Sequence, residues 1–144
     1  MVPNARSDLK LMDQALLRLR RFFDAPAVLD DRGSRVALST LLVLEAVARC
    51  GTPASIRGIA DQLNVAHSTA SRLVTRPEAA GMVERATSMT DRRETVIQST
   101  PVGHDFRQEG TTFRLDRLTA LTTGWAHEER ATFARLLDRF AAAT

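Results

Sequence analysis

The segment SIRGIADQLNVAHSTASRLVTR, from Ser55 to Arg76, constrains this chain more than any other. Ile56, Ile59, Ala60 and Leu63 recur at helical spacing, which puts them on one side of a short helix. Ser55 is placed to cap that helix, because its side-chain oxygen can accept from an orphan amide of the first turn. Asn64 follows where the chain must leave the helix, and asparagine enters the left-handed region more readily than most residues. Beyond Val65 and Ala66, the apolar set Ala70, Leu73 and Val74 predicts a second helix. Two short helices joined so tightly read as a helix-turn-helix.

The flanking segments predict more helix and one hairpin. Leu9, Met12, Leu16, Leu19 and Phe23 share one stripe of a helix over roughly 7 to 24, and that stripe needs a partner along its length. Asp24-Ala25-Pro26 ends it, and the stretch through Asp30, Asp31, Arg32 and Gly33 reads as a loop. TLLVLEAVARC, apolar on most faces, predicts a central helix with Ser39 as its cap and Gly51 closing it. MVERATS and ETVIQST are rich in β-formers and flank the polar SMTDRR, so they predict a two-stranded hairpin, a wing. Thr100 with Pro101 opens a long helix bearing Val102, Phe106, Phe113 and Leu121, weakened midway by Gly110. A last helix from near Glu128 carries Phe133, Leu136, Leu137 and Phe140 on one side. Its acids, Glu128 and Glu129, lie at the N-terminal end and Arg135 and Arg139 toward the C-terminal end, as the helix dipole favours. The expected fold class is mainly α with a small β-hairpin wing, a winged helix-turn-helix between N- and C-terminal helices.

Composition narrows the function classes. A chain of 144 residues, 44% hydrophobic, suits a single compact domain. No apolar run approaches the roughly 18 residues of a membrane helix, and MVPNARSDLK lacks the apolar block of a signal peptide, so a cytoplasmic protein with no membrane partner is expected. The formal net charge is +3, and Lys10 is the only lysine among 20 basic residues. Arginine's planar fork suits phosphates and base edges. An arginine-biased composition would give the same count, so position must decide. Cys50 is the single cysteine, which excludes an intrachain disulfide and reads as a buried structural thiol. Glycine-rich phosphate loops, HExxH and CxxC are all missing from the sequence. His67 beside Ser68, and His104 beside Asp105, point about 100° apart on a helix and form no nucleophile and base unit. The expectation is a non-enzyme with no catalytic residues, no cofactor and no metal site.

Opposite the buried side of the second short helix lie Ser68, Thr69, Ser71, Arg72, Thr75 and Arg76. Short hydroxyls allow close approach to phosphates, and the two arginines can reach guanine edges. Alone, such a face is ordinary solvated surface. The wing changes the weighing: Thr90-Asp91-Arg92-Arg93 puts two guanidinium groups on a turn, where Asp91 can hold an arginine by hydrogen bonds, and an arginine so braced suits a narrow minor groove. Pro77 is expected to bend or loosen the last turn of the helix, beyond the reading segment Ser68 to Arg72.

On SIRGIADQLNV, STASRLV, EAAGMVER, the DRR wing and TPVGHDF, the chain resembles the multiple antibiotic resistance regulator (MarR) family of bacterial winged-helix transcription factors over nearly its whole length. DRR by itself would carry little. Ala66 and Ala126 depart from the pattern, standing where such proteins usually have a capping Ser, Thr or Asp, at about 1 kcal/mol each. The resemblance implies a sequence-specific regulator of double-stranded DNA, a ligand-responsive repressor on a palindromic operator. Its wing signature falls on Asp91 and Arg93, with Arg93 in the minor groove and Arg92 the variable middle residue. It also implies a homodimer built from the first and last helices, and a small-molecule effector, often aromatic and lipophilic, in a cleft between the dimerisation and DNA-binding regions. Residues 1–38 would be the N-terminal dimerisation helix and loop, 39–100 the DNA-binding region and 101–144 the C-terminal dimerisation helices. The alternative is a winged helix that binds only protein.

Overall fold

The computed structural model describes residues 5–24, 38–51 and 53–144. Along the chain they form α1 (Ala5–Asp24), α2 (Leu38–Cys50), β1 (Ala54–Ser55), α3 (Ile56–Leu63), α4 (His67–Ala79), β2 (Val83–Thr87), β3 (Thr95–Ser99), α5 (Pro101–Leu121) and α6 (His127–Ala141). The chain divides into two compact units, Met1–Arg107 and Gln108–Thr144. The expected breaker Asp24-Ala25-Pro26 (beyond the helical Asp24 backbone), the loop through Asp30 to Gly33 and the side chain of Phe23 lie outside the described residues.

The first unit is organised by α2. Val43, Leu44 and Val47 are fully buried there and meet Ile59 of α3, Ala70 and Val74 of α4 and Ile97 of β3. Burying each Val, Leu or Ile contributes about 1.5–3 kcal/mol before entropy is counted, so this cluster holds the helix-turn-helix to the sheet. Phe106, in the second turn of α5, joins the same cluster, and Arg107 pairs with Glu45 of α2 at 3.3 Å.

The turn chemistry follows the sequence closely. Ser55 Oγ accepts from the Gly58 amide at 3.0 Å, capping α3. Asn64 sits in the left-handed region at φ 51°, ψ 49°, and the Val65 amide returns to the Ala60 carbonyl at 3.0 Å. Gly51 closes α2 with φ +77°. Ser39 does not cap α2: the helix already includes Leu38, so Ser39 is in its first turn. α5 runs through Gly110 without interruption, and that glycine is buried.

The sheet has three strands in the order β1-β3-β2, all antiparallel. The hairpin was expected; the third strand was not. Two residues are too few to show a period, and Ala54 and Ser55 are extended because they pair with Ile97 and Val96 along the otherwise open edge of β3.

At the end of α4 the loosening expected from Pro77 is not seen. The helix continues to Ala79 and is closed by a Schellman arrangement, with the Met82 amide donating to the Pro77 carbonyl at 2.9 Å and the Gly81 amide to the Glu78 carbonyl at 3.0 Å. Gly81 supplies the left-handed residue at φ +71°. Proline loses a donor to Leu73 but keeps its own carbonyl, and here that carbonyl ends the helix while the ring is buried. Thr100, in turn, caps α5 through the Gly103 amide at 3.2 Å and donates its hydroxyl to the Gly81 carbonyl at 2.5 Å. Both helix ends are thus fastened to one turn.

Candidate nucleic-acid interface

α4 begins at His67 with Ala66 as its N-cap, and no side chain caps its first turn. Ala70 and Val74 are buried and Leu73 half-buried, which turns the opposite face outward. Ser68, Arg72, Thr75 and Arg76 are exposed; Thr69 and Ser71 are half-buried. The Thr75 hydroxyl donates to the Arg72 carbonyl at 2.6 Å, so its proton is committed within the helix and only its lone pairs face outward.

The wing turn, residues 88–94, is built around a buried serine. Ser88 Oγ accepts from the amides of Thr90 and Asp91, each at 3.3 Å, and bonds the Thr90 hydroxyl at 3.0 Å. The Ser88 amide reaches the Glu94 carbonyl at 2.9 Å and the Glu94 amide the Asp91 carbonyl at 3.0 Å. Asp91 was expected to brace an arginine side chain; its carboxylate engages the main chain instead, Oδ1 accepting from the Arg93 backbone amide at 2.9 Å. Spacing favours that bond, since a carboxylate two residues ahead of an amide closes an Asx turn without ordering a long side chain. The guanidinium of Arg93 is left to the surroundings. Met89 stands 97% exposed on this turn.

A residue outside the sequence motifs ties wing to helix. Arg85 of β2 donates from Nε to Glu78 Oε2 of α4 at 2.9 Å and from Nη2 toward the Ser71 carbonyl at 3.5 Å. Seven residues separate Arg85 from Glu78 across a helix end and a turn, a spacing at which no periodic rule announces a pair. Only the closed turn at Gly81, which folds β2 back beside α4, makes it.

The structure brings Ser71, Asp91 and Arg93 together on one cleft of about 560 Å³, with Arg57 of α3, His67 and Arg85 on its other walls. Ser68, Arg72, Arg76 and Arg92 do not line it; they project from the exposed surfaces of α4 and the wing. Arg57, His67 and Arg85 were missed as site residues because the cleft joins three elements, and a residue facing a neighbouring element carries no local signature.

The remaining sequence candidates lie elsewhere. Cys50 is half-buried, packed beside the core, where burial and the nearby charge of Asp61 raise its thiol pKa above the ordinary value. His104 and Asp105 are exposed neighbours on α5. Among the described residues, no group of three His, Cys, Asp or Glu side chains is placed to hold a metal ion, and no helix is long and apolar enough to cross a membrane.

Residues 36–94 match the sequence profile of the MarR family. No curated protein sequence matches the chain significantly. Among solved structures, YusO of Bacillus subtilis is 20% identical, with 100% of this chain and 99% of that chain covered at a TM-score of 0.72. FabT of Streptococcus pneumoniae, solved in complex with DNA, is 19% identical, covering 95% and 94% at 0.70. BpsR of Bordetella bronchiseptica, whose DNA binding is regulated by 6-hydroxynicotinic acid, is 20% identical, covering 92% and 96% at 0.68. At these identities the likeness is one of fold.

Proposed function

We propose that this chain, whose residues 36–94 match the MarR family profile, is a sequence-specific regulator that binds double-stranded DNA as a homodimer. One observation carries the reading: Arg85 ties β2, the strand that leads into the arginine-bearing wing turn, to α4, and Ser71 of α4 shares a cleft with Asp91 and Arg93 of that turn. A helix and a wing so joined suit adjacent grooves of one duplex, with α4 in the major groove and Arg93 in the minor groove. The DNA contacts are Ser68, Thr69, Ser71, Arg72, Thr75 and Arg76 on α4 and Asp91, Arg92 and Arg93 on the wing. FabT, of the same fold, was solved bound to DNA.

The dimer follows from what a single chain leaves uncovered. Leu9, Met12, Leu16 and Leu19 of α1 are each at least 45% exposed, and Phe133, Leu136, Leu137 and Phe140 of α6 at least 39%. Such contiguous apolar stripes mark an interface, and a second copy of the chain covers them. Residues 1–38 and 101–144 then serve dimerisation and 39–100 DNA binding, in the cytoplasm where the chromosome lies. BpsR answers to a small aromatic acid, and a small-molecule effector that relieves repression is the corresponding proposal for this chain.

Gel retardation on genomic fragments at low salt tests the reading, together with light scattering. Retardation by a species of twice the chain mass supports it. A protein that retards no duplex at low salt is a protein-binding winged helix instead, and a stable folded monomer at micromolar concentration removes the dimer.

A further inference from the structure

We infer that the cleft between α3, α4 and the wing seats the sugar-phosphate strand dividing the two grooves, with Arg57 as a direct phosphate ligand; this rests on the DNA-binding reading above. Neighbouring major and minor grooves of a duplex share one strand as their common wall. A helix in the first and a wing in the second must straddle that strand, and the protein surface between them faces its phosphates. In this chain that surface is the cleft, with Ser71 of α4 on one wall and Arg93 of the wing on another.

The charges are disposed to suit. Arg85 is neutralised by Glu78 and acts to position β2 against α4. Asp91 and Glu94 also line the cleft, both on the wing turn, and Asp91 is engaged by the Arg93 amide. Arg57 enters from α3, is exposed, and pairs with no carboxylate among the described residues; the same holds for Arg93. A guanidinium without a carboxylate partner, between two elements that grip the duplex, is a phosphate contact by chemistry: its donors match the phosphate oxygens and it releases a counterion on binding. Such a contact sets affinity and register and reads no sequence.

The test is fluorescence anisotropy with a labelled duplex of scrambled sequence over a salt series, using the parent, Arg57→Ala, Arg57→Lys, and Arg49→Ala as an exposed-arginine control. Arg57→Ala should weaken binding to every duplex alike and lower the slope of log K against log salt by about one unit per protomer bound. Arg57→Lys should keep the parent slope, and Arg49→Ala should change nothing. Thermal melts accompany each variant, and Arg57→Gln replaces Arg57→Ala if the latter melts early. A parent-like slope in Arg57→Ala and Arg57→Gln overturns the inference while DNA binding stands. A parent that binds no duplex at low salt removes both. If inorganic phosphate or benzoate binds the DNA-free protein in an Arg57-dependent way while the duplex slope is unchanged, the cleft is a free-anion site and the strand assignment is wrong.

Discussion

The amide of Met82 donates to the carbonyl of Pro77 at 2.9 Å, so the residue that lacks a helix donor provides the acceptor that ends the helix. The same Met82 backbone meets α5: a Cβ at Gly103 would overlap the Met82 carbonyl oxygen and lie 2.7 Å from its carbon. Gly81→Ala, with open space for its Cβ but φ +71°, should cost about 1–2 kcal/mol of stability from backbone strain alone. Gly103→Ala should cost more, about 3 kcal/mol, because backbone must move. Chemical denaturation reads both. Equal losses would mean that α5 can shift away from Met82 at little cost.

The Arg85 to Glu78 pair predicts a split between stability and binding. Both side chains are about a third exposed, at 32% and 38%, so the ion pair contributes less than about 1 kcal/mol to folding. Arg85→Ala should therefore hardly move the melting temperature yet weaken DNA binding several-fold, because the wing loses its tie to α4. Glu78→Ala should do the same, and the double variant should be no worse than either single one. Additive losses in a double-mutant cycle would show that the two residues act separately.

Asp91 holds the wing turn through the Arg93 amide, which separates two readings of its role. Asp91→Asn keeps an acceptor oxygen and should retain most of the DNA affinity, whereas Asp91→Ala should lose part of it. Arg93→Ala should bind all sequences more weakly, most at A·T-rich flanks. A loss in Asp91→Asn as large as in Asp91→Ala would make the carboxylate's charge, not its hydrogen bond, the working feature.

Arg72 and Arg76 stand a turn apart on the exposed face of α4 and should behave differently. Arg72→Ala should flatten preference at one symmetric pair of operator positions, removing about 1–3 kcal/mol of discrimination. Arg76→Ala should lower affinity without changing the motif. The half-sites should lie roughly 10 bp apart. Selection from randomised duplexes decides this, and a motif altered by Arg76→Ala but kept by Arg72→Ala would move the helix in the groove by one turn.

Cys50 gives a pH dependence of definite sign. Burial raises the folded thiol above its ordinary 9.0, so the unfolded chain ionises first. Its contribution is constant below that value and becomes destabilising as pH climbs through it. Cys50→Ser should remove this alkaline loss, and a denaturation series above neutral pH checks it. An unchanged alkaline slope in the variant would assign the loss to other groups.

Local chemistry was legible without the fold. Ser55, Asn64, Gly51 and Thr100 act where their side chains or backbone freedom dictate, because a cap or a left-handed residue needs only its own few neighbours. The period of Ile56, Ile59 and Ala60, and that of Ala70 and Val74, marked the buried faces of two helices, and with them which face of α4 stays polar. The two-residue strand β1 and the tie between Arg85 and Glu78 were not legible. Each depends on a partner supplied by another element: the open edge of β3 and the return of β2 beside α4. The cleft is the extreme case, since Arg57, Ser71 and Arg93 belong to three elements and share no spacing. Residue order sets what each side chain can do, and packing decides which of them meet.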